Sequence, residues 1–302
     1  MSITVDFPAP VRDWILHNLT RGVDARAVVG ELVSRNTAAE VAAAMVDAVT
    51  AALMYGTPLP GDKLEVGGAR VTYEPAALRI PAEPVVRLGE REVRVLARLA
   101  RPAAALLDGL LSHDECEQLI ALARPRLVRS TVVDPVTGRN IVAGHRSSDG
   151  MFFRPRETPL IARIEDRIAE LTGFPAENGE GLQMLHYEIG AESTPHVDYL
   201  VPGNDANLES IARSGQRAGT MLMYLNDVEG GGETLFPQVG WSVVPQRGQA
   251  FYFEYGNGSG RSDPASLHAS AAVRAGDKWV ATKWIRTQRF VPRGDAQEPK
   301  MM

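Results

Sequence analysis

The 302-residue chain carries 32 lysines and arginines against 37 aspartates and glutamates, a net charge of -5, and 44% of its residues are hydrophobic. The basic residues are scattered, which excludes the electrostatic footprint expected of a nucleic-acid or anionic-membrane binder. One cysteine, Cys116, rules out an intrachain disulfide and a thiolate metal site and suits a reducing compartment.

The opening stretch MSITVDFPAPVRDWILHNL has acidic residues and prolines where a signal peptide needs a basic start and an apolar block. No segment approaches the roughly 20 apolar residues of a membrane span. A cytoplasmic protein is expected. Residues 10–55 read as helical: Val23-Asp24-Ala25 offers a cap, and 37–54 places apolar residues at about 3.6 spacing, so a helical hairpin is predicted. The mixed Pro- and Gly-containing stretch after Thr57 reads as a linker, with a boundary near residue 88. The expected organisation is a helical N-terminal region over 1–88, a main domain over 89–292 and a flexible tail over 293–302.

Helices are predicted from Asp114 to Leu127 and from Thr158 to Thr172, with a turn at Asp134-Pro135-Val136-Thr137-Gly138. Short strand candidates follow at 182–189, 219–226, 241–245, 249–255 and 278–286, separated by Gly, Pro, Asn and Asp. Helices first and short strands afterwards imply an α+β fold around a β-sandwich or jelly-roll barrel. Gly230–Gly232 reads as a tight turn and not a phosphate loop, because no Lys-Ser or Lys-Thr follows.

Chemistry gathers around His196-Val197-Asp198. In an extended chain, residues i and i+2 share a face, so one imidazole and one carboxylate can meet one metal. Two histidines and a carboxylate leave three positions free, an arrangement suited to non-haem iron(II). The third ligand could come from His17, His113, His145, His186 or His268. Of these, His17 and His113 lie in helical segments, His186 would face away from Tyr187, and His145 adjoins Arg146-Ser147-Ser148. His268 follows a glycine-rich loop and begins a strand-like stretch.

Six segments in order then resemble the prolyl 4-hydroxylase family of Fe(II)- and 2-oxoglutarate-dependent dioxygenases, over roughly residues 93–290. They are 182–187 (LQMLHY), His196-Val197-Asp198, 217–226 (RAGTMLMYLN), 231–237 (GGETLFP), Ser266-Leu267-His268 and 276–284 (GDKWVATKW). The resemblance implies a double-stranded β-helix (jelly-roll) core with flanking helices. It also implies Fe(2+) on His196, Asp198 and His268, with 2-oxoglutarate and O2 as cosubstrates and L-ascorbate to rescue uncoupled turnover.

Lys278, ten residues after the last ligand, takes the distal carboxylate of 2-oxoglutarate in this scheme, with Lys283 as the decoy. A lysine directed into an apolar strand interior is costly unless it meets an anion. Tyr187, or less directly Tyr224, matches a phenol that contacts the cosubstrate, though either can serve as a core tyrosine. Arg146, Ser148, Glu180, Arg217 and Trp284 match positions lining the family's peptide channel. Asp198 argues against a halogenase, which frees a metal position by losing the carboxylate. Ser193 and Ala271-Ala272 depart from the family pattern. They leave open whether the acceptor is a prolyl residue of a peptide or protein, or a small amino acid.

Overall fold

In the computed structural model, the described residues are 3–21, 23–55, 59–66, 76–89, 91–129, 132–133, 140–141, 148–202, 205–257 and 260–293. Two of the sequence expectations, His145 and Arg146 beside the cleft and the turn at 134–138, lie outside them. Of the expected tail, only residue 293 is described.

The chain begins with β1 (Ile3–Asp6), α1 (Ala9–Thr20), α2 (Ala25–Ser34), α3 (Ala39–Tyr55) and β2 (Lys63–Val66). Asp24 caps α2 as expected, its carboxylate accepting the Arg26 amide at 2.7 Å. The predicted hairpin is instead a three-helix unit closed by the antiparallel pair β1 and β2. Arg35 ends α2 and Asn36 follows with φ 68°, a left-handed turn that separates α2 from α3. Phe7, Ile15, Val28, Leu32, Val46 and Val49 form a core belonging to this unit.

Next come β3 (Val85–Leu88), β4 (Arg91–Leu99), β5 (Ala104–Asp108), α4 (His113–Ala123), β6 (Val128–Arg129), β7 (Val132–Val133), β8 (Asn140–Ile141), β9 (Asp149–Phe153) and α5 (Pro159–Thr172). A reciprocal capping box opens α4: Ser112 Oγ accepts the Glu115 amide and Glu115 accepts the Ser112 amide. Pro125 ends it early, in a 3-10 turn over Arg124–Arg126. Thr158 caps α5 and Gly173, at φ 70°, terminates it.

The remaining elements are β10 (Leu182–Tyr187), β11 (Ser193–His196), α6 (Asp205–Ser214), β12 (Arg217–Tyr224), β13 (Gly230–Gly231), β14 (Thr234–Phe236), β15 (Trp241–Val243), β16 (Ala250–Glu254), β17 (His268–Ser270), β18 (Val273–Ala275) and β19 (Lys278–Arg286).

A nine-stranded sheet runs β3-β4-β5-β16-β12-β19-β10-β9-β6 and a four-stranded sheet runs β11-β17-β14-β15. The chain passes from β10 to β11, back to β12, across to β14 and β15, back to β16, across to β17 and back to β19. This alternation between two antiparallel sheets is the double-stranded β-helix. The large sheet already includes β3, which pairs with β4.

The period-2 pattern of β19 sorts its side chains between two cores. Trp279, Ala281 and Ile285 face outward and pack with Cys116, Leu119, Ile161 and Ile164 of α4 and α5. Val280 faces inward with Leu185, Tyr224, Phe236, Phe251 and Phe253. Each of the valines, leucines, isoleucines and phenylalanines among them contributes roughly 1.5–3 kcal/mol of burial free energy. Burial also raises the Cys116 thiol to about 11, so it stays protonated at neutral pH. No described helix is long and apolar enough to cross a membrane.

Candidate active site

His196 ends β11 and His268 begins β17, and the two residues face each other in register across the antiparallel pair. Asp198 lies two residues beyond His196, as the i, i+2 spacing requires. One ligand atom from each of these three residues falls within 4.8 Å of the others. Among the described residues this is the one grouping of three or more His, Cys, Asp or Glu side chains able to share an ion.

Both imidazoles are oriented from behind. His196 Nδ1 lies 2.8 Å from the Thr194 carbonyl and His268 Nδ1 lies 2.9 Å from the Ser266 carbonyl. Each Nδ1-H donates to its carbonyl, which turns each Nε2 toward Asp198, at 3.8 Å and 3.7 Å. Thr220 Oγ1 donates to Asp198 Oδ2 at 2.7 Å. Burial alone would raise the Asp198 pKa; His268, His196, Arg217 and Thr220 outweigh it and hold the carboxylate at about 2. Phe253 and Phe236 pack on the His268 ring at 4.9 and 5.7 Å between centroids. His196 is the open member, with 38% of its side chain exposed.

The triad lies in a cleft between the two sheets. Leu185, Leu222, Val280 and Phe253 supply apolar walls, and Tyr187, Thr234, Ser270 and Lys278 supply polar groups. Lys278, 2% exposed, projects into the barrel on β19, a different strand from that of His268. Its Nζ donates to the Gly232 carbonyl at 2.6 Å and to Ser270 Oγ at 2.7 Å, and lies 5.3 Å from the Tyr187 ring centroid. Burial pulls the ammonium down to about 7, with Glu233 opposing. Gly232 adopts φ +72°, and a Cβ there would sit 3.2 Å from Lys278 Cδ, so glycine both permits the turn and makes room for the lysine.

The two tyrosines part company here. Tyr187 pairs in register with Lys278 and lines the cleft. Tyr224 is fully buried, donates to Thr234 Oγ1 at 2.8 Å and is not among the cleft-lining residues. Lys283 points to the opposite face of the sheet, where it meets Glu165 at 2.5 Å and the Glu180 carbonyl.

Of the expected channel residues, Trp284 lines the cleft and Arg217 stacks on it at 3.8 Å. Glu180 does not reach the cleft. Its carboxylate takes a bidentate pair from Arg217, at 2.7 and 2.9 Å, and a third bond from Arg286 at 2.5 Å. Arg217 in turn donates to the Asp198 carbonyl at 3.0 Å. Glu180 therefore supports the site from beneath. Ser148 is fully buried and is not among the cleft-lining residues. His186 stays on the outer face as anticipated, stacked on Trp279 at 4.3 Å and 3.0 Å from Asp277. His17 and His113 are exposed on helices.

Sequence reasoning passed over Thr220, Thr234, Ser270 and Gln183. Thr220 carries a readable signal, since it alternates with Leu222 and Tyr224 on one face of β12. The threonine and serine of the three-residue strands β14 and β17 carry none.

Residues 182–286 match the 2OG-Fe(II) oxygenase superfamily. The chain is 38% identical over 256 residues to probable prolyl 4-hydroxylase 3 of Arabidopsis thaliana, covering 78% of this chain and 86% of that protein. It is 39% identical to prolyl 4-hydroxylase 5 of the same plant, covering 67% and 74% of the two chains. It is 44% identical to that plant's prolyl 4-hydroxylase 1, covering 61% and 69%. Among solved structures it is similar to the viral collagen prolyl hydroxylase of Paramecium bursaria Chlorella virus-1, at 28% identity and a TM-score of 0.48, covering 60% of this chain and 94% of that one. With the sequence relatives matched over most of their length and a two-histidine, one-carboxylate triad at the expected positions, the chain belongs to the prolyl 4-hydroxylase family of 2OG-Fe(II) oxygenases and is an iron(II)- and 2-oxoglutarate-dependent dioxygenase.

Proposed function

We propose that the protein hydroxylates a prolyl residue in a peptide or protein, with His196, Asp198 and His268 as the iron ligands and Lys278 as the anchor for 2-oxoglutarate. The observation that carries the reading is one cleft holding the triad and a buried lysine whose ammonium is bonded to a carbonyl and a hydroxyl, in a chain 38–44% identical to the prolyl 4-hydroxylases named above. Iron(II) with 2-oxoglutarate and O2 supplies the oxidant that turns a C-H bond into C-OH, with succinate and carbon dioxide as the other products. The residues of the chain do the rest. The Thr194 and Ser266 carbonyls hold the imidazole tautomers, and Thr220 holds the carboxylate rotamer. Lys278, with Ser270 and Tyr187 beside it, receives the distal carboxylate of the cosubstrate. Leu185, Leu222 and Val280 keep water from the space between. Ascorbate fits the same scheme as the reductant that restores iron(II) after uncoupled cycles. The two-sheet body from β3 onward carries this chemistry, and a cytoplasmic setting suits a chain whose single cysteine is buried and protonated.

The deciding assay is succinate release from 2-oxoglutarate with iron(II), with and without proline-containing peptides, and with free L-proline as a separate arm. Release is expected to rise with peptides and to vanish in His196→Ala. No release above the His196→Ala blank sinks the oxygenase roles assigned to these residues, and stimulation by free proline alone moves the acceptor to a small molecule.

A pH dependence accompanies the Lys278 assignment. Without cosubstrate the amine titrates at about 7; beside a carboxylate its charged form is stabilised and the pKa rises. Affinity for 2-oxoglutarate is therefore greatest below pH 7 and weakens by up to about tenfold per pH unit above it. Near pH 8.5, binding should take up about one proton. Calorimetry in buffers of different ionisation enthalpy measures that uptake; zero uptake contradicts the assignment.

A further inference from the structure

The large sheet does not stop at the barrel wall. β9 and β6 continue it beyond β10. Gln183 on β10 lines the cleft and is paired in register with Phe152 on β9, so Phe152 shares the face that holds the active site. Its ring lies 6.2 Å from that of Trp284, yet it is 51% exposed. Leu185, also lining the cleft, pairs with Gly150, which pairs with Val128 on β6, itself 45% exposed. An apolar strip thus runs from Trp284 through Phe152 to Val128, leaving the cleft across β19, β10, β9 and β6. The strip crosses three strand spacings, about 14 Å, while shifting four residues along the strands, so it is about 20 Å long, the length of roughly six extended residues.

Two polar atoms at the inner end of the strip lack partners among the described residues. Trp284 Nε1 is a buried donor and Gln183 Oε1 a buried acceptor, and neither has a hydrogen bond. Gln183 is 8% exposed. A buried donor and a buried acceptor on adjacent strands match the C=O and N-H of peptide groups, and unsatisfied buried polar atoms point to a missing partner. Aromatic side chains beside an indole donor also form the surface on which proline-rich, extended peptides dock.

We infer that Phe152, Val128 and the Trp284–Gln183 pair form a subsite for the flank of an extended peptide substrate, taking its apolar or prolyl residues several positions from the hydroxylated one. The inference rests on the peptidyl-proline reading and adds to it a requirement for length and a specificity residue, Phe152, outside the metal cleft.

The test is a nested set of proline-containing peptides, extended by up to about six residues at either end, assayed with the full chain. In the wild type, kcat/KM should climb about tenfold as the flank that lies on the strip is added, from burial of apolar area. Phe152→Ala should erase most of that gain through KM, leave turnover of the shortest peptide unchanged, and leave the affinities for iron(II) and 2-oxoglutarate as they were. Phe152→Tyr should restore the gain, and Val128→Asp, at the far exposed end, should reproduce the loss independently. Equal length dependence in the wild type and both disruptive variants overturns the subsite while the prolyl reading stands. Succinate release that no peptide of any length stimulates overturns both.

Discussion

Lys278→Ala will raise the 2-oxoglutarate concentration needed for half-maximal turnover by about 10²- to 10³-fold while iron(II) affinity changes by no more than a few-fold. Truncating one partner of a buried, hydrogen-bonded charge pair costs about 2–5 kcal/mol, because the other charge stays buried without a partner. The separation of effects follows from position: Lys278 is on the large sheet, and two of the three triad residues are on the small one. Steady-state titration of the cosubstrate, with Mn(II) binding followed by electron paramagnetic resonance, measures the two affinities apart. A parallel fall in both would show that Lys278 supports the triad and not the cosubstrate.

Lys278→Met separates function from stability. The folded chain holds the amine near 7, below its ordinary value of 10.5, so between those pH values the unfolded chain binds more protons and stability rises with pH. Below pH 7 the cost of burying the ammonium is borne in full. Methionine removes that cost while filling the same space, so the variant should melt higher than the wild type near neutral pH and lose the upward slope of stability between pH 7 and 10. It should bind 2-oxoglutarate no better than the alanine variant.

Glu180→Ala should destabilise the fold by about 3–5 kcal/mol, a shift of roughly 10 °C in Tm for a chain of this size. Removing the carboxylate leaves Arg217 and Arg286 neighbours of like charge, both nearly out of solvent. Burial alone would raise the Glu180 pKa, but the two guanidiniums win and lower it. Its stabilising contribution is thus present above the unfolded carboxylate range and lost as pH falls through the folded pKa. Activity should fall too, because Arg217 bridges Glu180 to the Asp198 carbonyl and to the Trp284 ring. Glu180→Gln, which keeps an acceptor for one guanidinium, should lose less of both. Thermal melts set beside kcat and KM resolve the two losses; a Glu180→Ala chain with wild-type Tm contradicts this account.

These cases show what the sequence made legible. The strand 278–286 was readable to the residue because its two faces differ: Lys278, Val280, Thr282 and Trp284 line the cleft, and Trp279, Ala281 and Ile285 pack outside. The same alternation marks Lys283 as a decoy, and the structure gives it a partner, Glu165, from the outer helix. The ion pair that Glu180 makes with Arg286 was not legible, because the partner lies 106 residues away and no local pattern encodes such a pairing. β14 escaped notice as a strand because its three residues, set directly after Gly231-Gly232-Glu233, read as part of the turn. α6 escaped because its ten residues sit among strand signals, with Asp205 at its start and Gly215 at its end as the only local cues. The N-terminal hairpin became a three-helix unit because the turn at Asn36 relies on a left-handed residue that is not glycine.

Among the described residues, the strand bearing His196 has one neighbour. β11 lies at the edge of the small sheet and meets β17 through an irregular register, with Ser193 opposite Ser270 and His196 opposite His268. An ion shared by His196, Asp198 and His268 is consequently also a cross-link, a rivet through an irregular seam at the sheet's edge. Stripped of metal, the chain should fray first at 193–198, where amide exchange and proteolytic nicking would begin. Metal supply would then govern how long each molecule survives as well as whether it turns over.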